Sequence, residues 1–149
     1  MQLIVFCGIQ ATGKSTFYQQ HFFHSHVRIS LDLLRTRNRE QRLLQLCLET
    51  QMRCVIDNTN PTRAERARYI EPARQAGFSI TGYFFQAPIT EALVRNQQRP
   101  AERQVPEVGL RATRNRLELP RYAEGFDALY FVRPAVNHTF DISPWQDEV

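Results

Sequence analysis

At 149 residues, 42% of them hydrophobic, the chain is long enough for one domain with a substantial core and too short for two catalytic domains. With 19 basic against 15 acidic residues the formal net charge is +4, which suits a polyanionic partner, and no apolar run approaches the length of a membrane span. Cysteines at 7, 47 and 54 have no C-x-x-C or Cys/His ligand spacing, so they read as reduced core thiols; with no signal-like N-terminus, the expected compartment is cytoplasmic.

The first predicted element is a strand over Gln2–Cys7, "QLIVFC", which feeds directly into "GIQATGKST", Gly8–Thr16. That stretch fits G-x-x-x-x-G-K-[ST], with Gly8 and Gly13 as the glycines, Lys14 as the cation and Ser15 as the hydroxyl, and Thr16 closing the set of nucleotide-binding residues. Glycines let successive N–H groups turn inward around a triphosphate, and the following helix, predicted over Lys14–His24, offers its positive end to the anion. Lys14 is expected to bridge the β- and γ-phosphates of ATP, and Ser15 to help hold Mg²⁺. The plainer alternative is a glycine-rich turn that merely joins a strand to a helix, but the eight-position pattern is demanding and its surroundings are right. Lysine occurs once, at position 14, where a compact point charge is wanted; every other basic residue is arginine. Histidines at 21, 24 and 26 crowd the end of this helix and read as a solvated terminus rather than a metal cluster.

A second short strand is predicted over Val27–Ser30, followed by a leucine-rich helix from about Leu31 through Thr50. The third strand is Arg53–Asp57, ending in a polar turn. A helix opened by Pro61 or Thr62 runs to Gln75, with Gly77 as its stop and Pro72 as a candidate kink. The fourth strand is Ser79–Gln86 and the fourth helix Thr90–Gln98. A polar, arginine-bearing segment, Arg99–Glu107, precedes a helix near Val108–Leu117, and Ala128–Val132 is the fifth strand. This alternation predicts an α/β fold of the P-loop NTPase type, one domain over 1–149. A parallel sheet of about five strands is flanked by helices and carries an arginine-bearing lid, with the nucleotide at the strands' carboxyl ends.

Polar residues at strand ends then become candidates. Asp57 follows "CVI" and is expected beside the phosphate loop, where a carboxylate can hold Mg²⁺. Asp32 lies just past the second strand, with Arg35 one helical turn on, so the two are expected to face the cleft together. Asp32 suits a general base for an acceptor hydroxyl and Arg35 a phosphate grip; the plainer reading of Asp32 is a helix N-cap. Arg95 and Arg99, spaced i, i+4, are expected on one helix face, with Arg103 in the segment that follows. On a mobile segment such arginines can close over a triphosphate, although a solvated helix face is the usual meaning of such a run.

Five stretches, "GIQATGKSTF", "LDLLR", "CLETQMRCVIDNTNPTRAERARYIEPARQAGF", "RNQQR" and "VPEVGLRATRNRLELPRYAEGFD", carry a likeness that spans most of the chain. On them the sequence resembles the kinase module of the polynucleotide kinase/phosphatase family, P-loop enzymes that transfer the γ-phosphate of ATP to a nucleic-acid 5′-hydroxyl. The resemblance implies that Asp32 is the general base, Arg35 a contact to the acceptor-side phosphate, and Arg95 and Arg99 the lid arginines. It also makes Asp57, Asn58, Thr59 and Asn60 the signature turn after the third strand. The sequence contains no D-x-D-x-T phosphatase motif, and Ser30 and Leu31 precede Asp32 where the family often has Asn-Arg. Arginines at 35, 37, 39 and 42, and at 111, 114 and 116, suit a nucleic-acid partner or form a generic basic surface. Two other functions fit the same residues: a kinase for a sugar, nucleoside or antibiotic hydroxyl, and a nucleotide-dependent switch module.

Overall fold

The apolar runs form strands buried on both faces, as a parallel sheet covered by helices requires. A computed structural model describes residues 1–146. In chain order its elements are β1 (Gln2–Cys7), α1 (Lys14–His21), β2 (Val27–Ile29), α2 (Leu31–Leu34), α3 (Arg37–Glu49), β3 (Cys54–Ile56), α4 (Arg63–Gln75), β4 (Ser79–Phe85), α5 (Ile89–Gln98), α6 (Glu107–Arg116), β5 (Ala128–Pro134) and β6 (Phe140–Pro144). Strand order is β2-β3-β1-β4-β5-β6. The first five are parallel, and β6 runs antiparallel to β5 with Val132 opposite Ile142.

Side-chain alternation along β1 divides the core. Leu3, Val5 and Cys7 face Leu44, Cys47 and Leu48 of α3 and Tyr69, Ile70 and Ala73 of α4. Ile4 and Phe6 face Phe17 and Tyr18 of α1, with Val55, Phe85 and Val132 beside them. A third, smaller cluster joins Ile9 of the phosphate loop to Ala92 of α5 and Leu110 of α6.

The elements depart from expectation in three places. The helix predicted from Leu31 through Thr50 is two: α2 is a single turn, Arg35 follows with φ 75°, and Thr36 starts α3 afresh, its hydroxyl accepting from the Arg39 N–H at 3.2 Å. The first helix stops at His21 rather than His24, because the Phe22 ring turns back onto Phe6 and Phe17. α4, by contrast, runs through Pro72 to Gln75 as expected. The sheet has six strands, not five. Phe140 of the unexpected β6 packs edge-on to Phe17 with centroids 5.2 Å apart, and Trp145 beyond it stacks on Phe131 at 4.2 Å.

The turn after β3 is held by a buried network. Arg66, whose side chain is fully buried, makes two hydrogen bonds to Glu124 at 2.8 and 3.1 Å and a third to the Asn60 carbonyl at 2.9 Å. Removing one partner of such a pair typically costs about 3–5 kcal/mol, since the other charge is left uncompensated. Segments far apart in the chain, around Arg66 and around Glu124, are thereby one structural unit beneath the cleft. No helix among the described residues is long and apolar enough to cross a membrane.

Candidate active site

The phosphate loop leaves β1 at Gly8 and enters α1 at Gly13. Gly8 passes so close to β4 that a Cβ would stand 2.9 Å from the Phe85 carbonyl oxygen, and Gly13 has φ 89°, a left-handed conformation that side-chain-bearing residues resist. The Gly8 N–H donates to the Thr59 carbonyl at 2.9 Å, tying the loop to the turn after β3. Gln10 Nε2 donates to Thr113 Oγ1 at 3.0 Å, tying it also to α6.

Lys14 is buried, and its Nζ donates inside the loop to the carbonyls of Gly8 at 3.0 Å and Ile9 at 2.6 Å. Burial pushes its ammonium down to about 8, against the opposing pull of Asp57. A cation so poorly solvated gains strongly from an anion placed beside it. Burial pushes the neighbouring Cys7 thiol up to about 11, so it stays protonated at neutral pH and acts as core.

Ser15, the second residue of α1, is exposed, and its hydroxyl donates to Asp57 Oδ2 at 3.1 Å. Asp57 is 5% exposed at the end of β3. A hydroxyl and a carboxylate are hard oxygen ligands of the kind Mg²⁺ takes, so this pair fits the ion. Among the described residues no group of three or more His, Cys, Asp or Glu could hold a metal ion, so its remaining ligands would be phosphate oxygens and water. A residue that sequence reasoning passed over completes the pair. Arg28 of β2 donates from Nε to Asp57 Oδ2 at 2.8 Å and from Nη2 to Ser15 Oγ at 3.1 Å. Its only signal was a charge inside the short apolar strand "VRIS".

The rest of the signature turn positions what surrounds it. Asn58 Oδ1 accepts from the Leu31 N–H at 2.9 Å, and its Nδ2 donates to Glu40 Oε2 at 2.8 Å, so the start of α2 is pinned to β3. Asn60 Nδ2 donates to the Phe6 carbonyl at 2.7 Å. Asp32 is exposed in the first turn of α2 and is not its cap; that position belongs to Ser30, whose side chain makes no capping bond.

Arg99 lies within electrostatic reach of the phosphate loop. Lys14 experiences the charges of Asp57, Arg99 and Asp32, and Arg99 those of Asp32 and Arg103. Lys14, Ser15, Asp57, Asp32 and Arg99 therefore converge. Thr16, half-buried one residue further into α1, lies behind the loop.

One expected alignment fails. Arg35 follows the end of α2 with positive φ, so it does not share a helix face with Asp32. Arg99 is the C-cap of α5, four residues beyond Arg95 in the last helical turn; its φ of −74° is still helical, so its side chain leaves the backbone on the Arg95 side, and its ψ of 152° turns away only the chain that follows. Arg99 is among the strongest charges acting on Lys14. Both Asn96 amide atoms bond to Val105, at 2.6 and 2.9 Å, closing the segment that carries Arg99 and Arg103 into a braced loop.

Residues 3–120 match the AAA domain family. The bifunctional polynucleotide phosphatase/kinase of Schizosaccharomyces pombe is 27% identical over 131 residues, a match that takes in 84% of this chain. It takes in 32% of the yeast protein, so the chain spans about a third of that curated relative's length. Among solved structures, Chaetomium thermophilum Kti12 in complex with ADP-AlF3 superposes with TM-score 0.69 at 16% identity, covering 88% of each chain. A sugar kinase from Janibacter sp. HTCC2649 gives TM-score 0.69 at 13% identity over 89% of this chain and 85% of its own. Likeness at such identities establishes the P-loop fold and nothing finer.

Proposed function

The chain belongs to the AAA domain family, and from that premise we propose that it is an ATP-dependent kinase acting on the 5′-hydroxyl of DNA or RNA. The observation that carries this reading is Asp32, an exposed carboxylate whose charge acts on both Lys14 and Arg99. The match to the yeast phosphatase/kinase supports the choice of acceptor.

In this reading the acceptor oxygen bonds to the γ-phosphorus as the bond to the β–γ bridging oxygen breaks, and its proton passes to the Asp32 carboxylate. Lys14 and Arg99, with Arg95 drawn in as the lid closes, disperse charge on the transferring phosphoryl group. Mg²⁺, held by Ser15 and Asp57, would neutralise the β- and γ-oxygens when bound. Residues 32, 33 and 35–39 are exposed in near-continuous sequence, an open rim rather than the enclosed pocket that a small metabolite needs. Arg35 stands on that rim, suited to the phosphate beyond the acceptor nucleotide.

The lid assignment predicts unequal effects. Arg99→Ala should lower kcat more than ATP affinity, because its contacts strengthen as charge develops, and Arg95→Ala should do the same to a smaller degree. Single-turnover rates measured beside ATP binding check this; lost affinity at unchanged turnover would assign both arginines to ground-state binding.

Lys14 gives a pH signature. In the free cleft its ammonium titrates at about 8, and a bound triphosphate raises that value. Below pH 8 the lysine is charged before and after binding; above it, binding takes up a proton and affinity falls as pH rises. Calorimetry at about pH 9 in two buffers of different ionisation enthalpy should reveal that uptake, which Lys14→Met should lose.

An acceptor panel tests the function itself. A 5′-hydroxyl oligonucleotide, a nucleoside 3′-phosphate, a free nucleoside and a set of sugars should be used in that order of efficiency. A sugar or nucleoside that outcompetes the oligonucleotide would overturn the nucleic-acid reading in favour of a small-molecule kinase.

A further inference from the structure

Ser15 Oγ and one of the two Asp57 carboxylate oxygens, Oδ2, both suited to a divalent cation, are already engaged by a guanidinium. Arg28 Nε donates to Asp57 Oδ2 at 2.8 Å, its Nη2 donates to Ser15 Oγ at 3.1 Å, and Ser15 Oγ donates to the same Oδ2 at 3.1 Å. The three side chains form a closed triangle. We propose that Arg28 is a resident counter-ion of the cation site, holding Ser15 and Asp57 while the cleft is empty and leaving when a metal–nucleotide complex binds. This rests on the kinase reading for the ion's role, but not on the identity of the acceptor.

The triangle has a physical cause. The Asp57 side chain is 3% exposed, and a carboxylate so buried is costly without a cation. Lys14, the other cation whose charge couples to Asp57, directs its Nζ at loop carbonyls. Arg28 is therefore the cation that neutralises Asp57. A divalent ion brought onto the Ser15 hydroxyl would meet a positive guanidinium within hydrogen-bonding distance of the same oxygen, so the two cations compete.

Arg28 is also placed to leave. It stands on β2, a three-residue strand at the sheet edge that pairs only with β3. Its side chain is 27% exposed, so the guanidinium reaches solvent without opening the core. The free ion, which must displace Arg28 unaided, is then disfavoured. The ion that arrives with a triphosphate brings anionic charge able to offset the loss of Asp57 to Arg28, so the site selects the metal–nucleotide complex over the bare metal.

The test uses nucleotide-free protein and Mn²⁺, with unbound ion counted by electron paramagnetic resonance. Arg28→Met should bind Mn²⁺ about tenfold or more tightly than the parent. In chelator its Tm should fall, because Asp57 loses its partner, and Mg²⁺ should restore it while leaving the parent's Tm in place. The double variant Arg28→Met/Asp57→Asn should lose the gained affinity. If Arg28→Met does not fold, Arg28→Gln, which keeps a neutral donor, gives the same comparison. Mn²⁺ affinity equal to or weaker than the parent's in the folded variant would overturn the proposal, as would tight binding that survives Asp57→Asn. Neither readout involves phosphate transfer, so a failed acceptor assay and a failed counter-ion role are told apart.

Discussion

Asp32→Asn is expected to slow transfer to a 5′-hydroxyl by about 10²- to 10⁴-fold, the usual worth of a positioned general base, while ATP binding stays near the parent's. The structure removes the ordinary objection to such an experiment. Asp32 is exposed, does not cap α2, and has no part in the Asn58 to Leu31 bond that fixes the start of that helix. The change therefore has no structural route to a large effect. Rapid-quench measurement of the chemical step beside equilibrium ATP binding separates the outcomes; transfer at the parent rate would mean that the base is another group.

Lys14→Met should abolish measurable transfer, because it removes the one charge at the centre of the phosphate loop. The side chain is more embedded than its motif suggests, since its Nζ satisfies the Gly8 and Ile9 carbonyls. Its removal should nevertheless leave the fold standing. Burial holds the ammonium near 8, below an ordinary lysine, so the charged form costs the folded state stability at neutral pH. From about pH 8 up to the unfolded lysine's value the unfolded chain holds the extra proton, and this penalty is relieved as pH rises. The parent's Tm should show that upward contribution in alkali and Lys14→Met should not. A folded variant with normal turnover would remove the basis for the kinase reading.

What was legible in the sequence is local, and what was missed is mostly long-range. The phosphate loop was readable because its glycines, lysine and serine answer to one anion within nine residues, and Asp57 because a parallel strand delivers its last residue to the cleft. The break at Arg35 has no glycine or proline to mark it, and leucines lie on both sides of it; it is made by the positive φ of Arg35 and by the Thr36 hydroxyl accepting the Arg39 N–H. Arg28 meets Asp57 across 29 residues and two strands, and Arg66 meets Glu124 across 58. No periodicity announces either pair. The sixth strand gives no such signal, because it is five residues long and every one of them except Phe140 is exposed, Ile142 included.

The central claim is that the γ-phosphate of ATP goes to a strand's 5′ oxygen. Its most direct measurement incubates the protein with γ-labelled ATP, Mg²⁺ and a 5′-hydroxyl oligonucleotide, then digests the labelled strand to nucleotides. The account predicts label only in the 5′-terminal nucleotide, released by a 5′-phosphatase, and none when the strand already carries a 5′-phosphate. Label appearing only as inorganic phosphate or on a small metabolite, with the strand left unmarked, would contradict it.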